Sequence, residues 1–395
     1  MNPFLPRVIL ASLLLLGTAI ADIPLPEETP PPEKLTAHTR SFIEKANETH
    51  GLFGKKAASF LVSHMPQQDR ETLTTDFLME NLRLALETRE RFPWAKNLPD
   101  FRFFNDVLPY AVLDETRDGW RKTLLPKAAA LVKDCTTASE AAQRLNEKLF
   151  HLLNVHYNTN RQRPNQSPEE SITQGRATCT GLAIVLVDAC RSVGIPARVA
   201  GTAEWTNKRG NHTWVEIWDG EWKFTGADEF DAKGLNRGWF AGDAAKAIAN
   251  DPIHAIWASS WKPVDGSFPM VWAPESRNVG AVNVTARYTG NPAGKSDSLV
   301  HLRVLESPAR NADNRIVVTA ELCNQAGEVI ASQPTKAGTA DLNDMAAFQI
   351  KPGHYLWRLK RGNEIKETPL TIDTSAERTI ELHWETLPSP PPPAL

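Results

Sequence analysis

"GRATCTGLAIVLVDACRSVGIPARVAG" (residues 175–201) contains two of the four cysteines of the chain. From Thr180 to Ser192 it is mostly apolar and free of glycine and proline apart from Gly181, which predicts a buried helix closed by Gly194. "IPARVAG" then reads as a buried strand. Cys179 and Cys190 lie eleven residues apart. On one helix that is about 16 Å, so they cannot pair. Buried free cysteines are common and inert, and that describes Cys190, three turns into the helix. Cys179 differs. It opens the helix among Ala177, Thr178 and Gly181, where unpaired backbone N–H groups favour a thiolate and small neighbours leave room for a substrate backbone.

Downstream, "NHTWVEIWDGEWKFTGADE" (211–229) carries the clearest local signal. Thr213, Val215 and Ile217 alternate with Trp214, Glu216 and Trp218, and Asp219-Gly220 turns the chain into a second strand. His212 opens the first strand after the "TNKRGN" loop and is the candidate base for Cys179.

Outward from this core the chain falls into regimes. Residues 1–21 read as a signal peptide, with Arg7 before the apolar run "VILASLLLLGTAIA" and Ala19-Ile20-Ala21 as the cleavage site. The expected mature protein is secreted or periplasmic, starts at Asp22 and has no membrane span. A Pro-rich leader (22–34) precedes a helical region (35–94) in which Leu78, Leu82, Ala85 and Leu86 form one stripe. In "TTASEAAQRLNEKLFHLLN", Thr137 and Glu140 predict a capping box, and Ala141, Leu145, Leu149 and Leu152 a buried face. The catalytic domain is set at 95–265. Beyond it only short alternating runs remain. Residues 283–386 therefore predict a small antiparallel sandwich, with Tyr355, Trp357 and Leu359 on one face, and 387–395 a Pro-rich tail.

A net charge of −3 with 41% hydrophobic and 23% charged residues gives no reason to expect nucleic acid as a partner. Cysteine and histidine spacing suggests no zinc site, no calcium-loop pattern occurs, and neither metal nor cofactor is expected. Bridges of Cys135 to Cys190 or Cys323 stay open.

"C-x-G-L-A…R-S-V-G-I-P-A-R…H-T-W-V-E" over residues 95–262 resembles the transglutaminase-like superfamily of cysteine enzymes. The resemblance implies an α+β, papain-like core: a cysteine helix packed on an antiparallel sheet, here between N-terminal helices and a C-terminal all-β sandwich. It implies Cys179 as nucleophile and His212 as general base. The family pattern usually places an acid four residues after the tryptophan of the second strand, but Trp222 plus four is Gly226. Asp228 and Glu229 are the candidates in its place. With a two-residue Asp219-Gly220 turn, His212 opposes Ala227 and Glu229 shares its face. With a three-residue Trp218-Asp219-Gly220 loop, Asp228 does. Both stay open.

Gln174, five residues before Cys179, resembles the glutamine that serves the oxyanion in papain-like enzymes. Seven of the twelve tryptophans fall between Trp205 and Trp261, mostly as hairpin core, with Trp205 and Trp239 the two allowed near a substrate groove. The expected activity is acyl transfer at an amide carbonyl of a protein or peptide (cell-wall peptide included), with hydrolysis favoured over transamidation. The alternative is a non-catalytic envelope or adhesion protein that keeps the fold.

Overall fold

The computed structural model describes residues 30–264, 266–289, 298–308, 314–341, 343–372 and 378–390. The signal segment, residues 22–29 of the leader and the last five residues lie outside them. Among the described residues, no helix is long and apolar enough to cross a membrane.

The helix Cys179–Ser192 is the axis of the fold. Every residue from Thr180 to Ser192 is buried, because the helix is covered on both sides. The helices Trp120–Leu131 and Ala138–Leu153 pack on one side and the strands Ala197–Thr202 and His212–Trp218 on the other. Such a helix must be apolar all round, which is why the stretch shows no polar stripe. Gly194 ends it at φ 76°, with its N–H and that of Ile195 donating to Arg191 and Cys190 carbonyls. A Cβ there would meet the Ala95 methyl at 2.7 Å, so only glycine fits.

The N-terminal helices share this core. Phe42, Leu61, Leu78, Leu82 and Ala85 join one cluster with Leu182, Val185 and Ala189. Leu86 is half-buried at its edge. Polar ties run the same way: the Trp94 indole donates to the Val193 carbonyl (2.8 Å), and Arg121 to the Arg191 carbonyl (2.9 Å). The capping box of Thr137 and Glu140 is present. Its helix differs at one position. Leu152 is 55% exposed and Leu153 is buried instead, because Ala142, Asn146 and Phe150 are also buried and turn the covered arc away from Leu152.

The cysteine helix lies on a six-stranded sheet ordered Trp222–Thr225, His212–Trp218, Ala197–Thr202, Trp257–Ser260, Gly280–Asn283, Gly266–Ser267, all antiparallel. The sheet therefore runs past residue 265. The short helix Thr285–Tyr288 continues it, with the Tyr288 hydroxyl donating to Glu216 (2.8 Å) and accepting from the Trp214 indole (2.9 Å).

The C-terminal part holds two sheets, one of Val329–Pro334, Thr319–Cys323, Gly353–Arg361 and Glu364–Ile372, the other of Ala346–Ile350, Ser298–Leu305 and Arg378–His383. Val300, Leu302 and Phe348 of the second face Leu322, Trp357, Leu359 and Leu370 of the first in one core. Tyr355 is half-buried on the face of Trp357 and Leu359. The sandwich is not wholly antiparallel. After Ile372 the chain returns to the other sheet, and Arg378–His383 runs parallel to Ser298–Leu305.

Candidate active site

Cys179 is the first residue of its helix, and Thr178 before it is extended (φ −99°, ψ −178°) with no side-chain cap. The first N–H groups therefore stay available to a ligand. The Thr180 and Thr213 hydroxyls meet at 3.1 Å and fix the helix start to the strand that carries His212. Cys179 is half-buried; Cys190 is fully buried, and burial pushes its thiol pKa far up. All four cysteines are free.

His212 is 1% exposed. Aromatic rings box it in: Trp239 at 4.6 Å, Phe240 at 4.9 Å, Trp214 at 5.7 Å and Trp205 at 6.2 Å between centroids. The two tryptophans singled out in the sequence thus divide. Trp239 lines the cavity, while Trp205 is buried behind the imidazole.

Neither expected acid stands closest to His212. The hairpin loop is Asp219-Gly220-Glu221, since Trp218 pairs with Trp222. Continued, that register would put Asp228 opposite His212, but the ladder ends at Val215 and Thr225. Asp228 then adopts φ 61° and turns its carboxylate to His156 Nδ1 (2.9 Å). Glu229 points inward. Its Oε2 is sealed from solvent without a partner. A Cβ built on Gly226 would lie 1.9 Å from that oxygen. Its carboxyl therefore fills the space of a side chain at position 226, where the family pattern usually has an acid. Burial raises the Glu229 pKa to about 8; His212 and Trp239 oppose the rise, and Asp341 adds to it.

The carboxylate against the imidazole is Asp341, from the C-terminal sandwich. Its Oδ2 lies 3.5 Å from His212 Nδ1, and one donor atom each from Cys179, His212 and Asp341 sit within 4.8 Å of one another. Burial alone would lower the His212 pKa, but Asp341 and then Cys179 reverse this and hold it well above its ordinary value. Burial would raise that of Asp341, yet His212, the Asn343 N–H (2.8 Å) and Cys179 bring it below the usual carboxylate value. The Asp341 loop is braced: Arg315 donates to its carbonyl (2.8 Å), the Asn343 amide donates to the Asn211 carbonyl (3.0 Å), and Arg209 donates to the Asn343 carbonyl (3.1 Å).

The three groups form a triangle, not a relay. Were thiol and acid held by opposite ring nitrogens, two hydrogen bonds and the ring would separate them by roughly 7 Å. Asp341 is therefore on the thiol side of the imidazole. Sequence reading missed it because "GTADLND" has no pattern that marks it and lies far along the chain. Gln174 is absent from the cavity. After its helix, Gly175 turns at φ 66° and the amide pairs with Gln162, its Oε1 accepting from the Gln162 N–H at 3.1 Å.

These groups open on a cavity of about 790 Å³ that also exposes His151, His156, Asp228, Glu229, Lys336 and Asp344. A thiol at a helix start beside a buried imidazole is the site of the thiol acyl-transfer enzymes. Residues 126–244 match the transglutaminase-like superfamily, so this segment carries a transglutaminase-like core. Three solved structures show likeness: a provisionally assigned cysteine protease from Cytophaga hutchinsonii (22% identity, 39% of this chain and 52% of that one, TM-score 0.27), red sea bream transglutaminase (10%, 64% and 58%, TM-score 0.26), and a provisionally assigned protease from Parabacteroides distasonis (9%, 75% and 53%, TM-score 0.25). The chain thus spans little more than half the length of each. No curated protein matches it.

Proposed function

We propose that the protein is an exported cysteine enzyme that cleaves an amide bond through a thioester. The observation that carries this reading is the Cys179 thiol at an uncapped helix start beside the buried His212 imidazole. With the thiol proton already resting on His212, Sγ attacks the carbonyl carbon as the thiolate of a thiolate–imidazolium pair. Backbone N–H groups at the helix start hold the oxyanion. As the C–N bond breaks, the amine leaves with the proton from His212. Water, activated by His212, then hydrolyses the thioester; a lysine amine in its place would give transamidation. Glu229 is assigned as the carboxyl that orients the imidazole, because its end group occupies the place of a residue-226 side chain. Export rests on the signal-like first 21 residues.

The test is trapping. Purified protein incubated with a library of peptide amides, cell-wall peptides included, should yield an acyl adduct on Cys179 by mass spectrometry. His212→Ala should lose it. No adduct on any amide, together with Cys179 alkylating no faster than Cys135, would refute the reading.

A further inference from the structure

We propose that Cys179, His212 and Asp341 form a three-ligand site for Zn²⁺ that reversibly closes the nucleophile. The effect on turnover rests on the acyl-transfer reading; the binding itself does not. Thiolate, imidazole and carboxylate are the ligand types zinc takes in proteins, and sulfur with nitrogen excludes calcium and magnesium as preferred occupants. Zinc bonds of about 2.3 Å to sulfur and 2.0 Å to nitrogen and oxygen put tetrahedral ligands roughly 3.3–3.6 Å apart. The imidazole and carboxylate already stand 3.5 Å apart, and the sulfur lies within 4.8 Å of both. Closing the site takes a thiol movement of at most roughly 1.3 Å toward each partner, within reach of a side-chain rotation.

A second observation points to a ligand independently. Both ring nitrogens of His212 are buried without a directed hydrogen bond. A buried polar atom in that condition normally has a partner. The ligands are also held in place. Aromatic rings clamp the imidazole, and Asp341 keeps its Oδ1 on the Asn343 N–H (2.8 Å), leaving Oδ2 toward His212. The fourth position faces the cavity, open to water or substrate. On coordination the proton held by the Cys179–His212 pair leaves to solvent. Because the ligands come from residues 179, 212 and 341, no local spacing could signal the site.

The experiment uses the full-length, chelator-treated protein titrated with Zn²⁺ by calorimetry and with Co²⁺ by near-ultraviolet absorption. Expected are one equivalent bound, a thiolate-to-cobalt charge-transfer band, and Cys179 alkylation slowed more than about tenfold with Cys135 unaffected. Asp341→Ala and the conservative Asp341→Asn, each checked for a native melt, should weaken zinc by more than about tenfold. Asp344→Asn, in the same cavity but outside the triangle, should bind as wild type. Zinc binding equal in wild type and Asp341→Ala, or bound zinc that leaves Cys179 alkylation unchanged, overturns the proposal. Turnover without zinc binding sinks this site alone, and zinc binding without turnover on any amide sinks the catalytic reading alone.

Discussion

Glu229→Gln separates the two carboxyls that flank His212, through stability as well as rate. In the native protein the Glu229 pKa rises from 4.5 to about 8, chiefly because its carboxyl is buried. Between those values the folded chain holds a proton that the unfolded chain has lost. Its share of stability is therefore fully present below pH 4.5 and is lost as pH climbs through 8. About 3.5 pH units at 1.36 kcal/mol each give an upper bound near 5 kcal/mol. Coupling to His212 and the partial exposure of the residue reduce this to about 2–3 kcal/mol. Glutamine is neutral at every pH and lacks this dependence. Melts of wild type and variant from pH 5 to pH 9 should show Glu229→Gln gaining several degrees relative to wild type at the alkaline end. A Tm difference that is the same at pH 5 and pH 9 would refute a buried, protonated Glu229. The same variant should lose turnover by about tenfold or more if Glu229 orients the imidazole.

Asp341→Asn should raise the rate of Cys179 alkylation at neutral pH, because the carboxylate no longer competes with the thiolate for the His212 imidazolium; a large loss of turnover would instead give Asp341 the orienting role. Gly226→Ala should keep the fold, since the atom in its way is the flexible end of Glu229, yet reduce turnover by displacing that carboxyl; Gly226→Asp combined with Glu229→Ala should recover part of it. Cys190→Ala should stay active and cost about 1 kcal/mol through a small cavity, while Cys190→Ser costs more through a buried hydroxyl; measured melts that rank them the other way would place Cys190 outside the apolar core. The fragment 298–390, which contains both C-terminal sheets, should give a β-type circular dichroism spectrum and a cooperative melt; an unfolded fragment would mean that its stability depends on the contacts of Asn343 with Asn211 and Arg209.

What was legible in the sequence was local. The cysteine helix, its Gly194 stop and the Thr137 capping box follow from neighbours a turn or less apart, and each is present. The positions of Cys179 and His212 follow from the helix start and the strand start. The acid was harder. Face assignment by hairpin register assumes that the ladder continues, and here it ends three residues before Asp228 takes a left-handed conformation. That single backbone choice sends Asp228 to His156 and lets Glu229 fold back over Gly226. Asp341 was illegible for another reason. It reaches the site from a loop far along the chain, through long-range packing that no periodicity or turn chemistry encodes.

The two carboxyls cannot both be charged against one imidazole in a buried site. Asp341 lies nearer, receives the Asn343 N–H and titrates below its usual range; Glu229 has no such donor on Oε2 and titrates near 8, partly because of the Asp341 charge. In the resting protein the two carboxyls are thus set apart, Asp341 shifted down and Glu229 shifted up. The carboxylate in this resting state is on the thiol side, where a substrate carbonyl must enter. The Asp341 charge adds only a lesser part to the raised Glu229 pKa, which burial chiefly sets. The Glu229 carboxyl is seated where the family pattern keeps its acid.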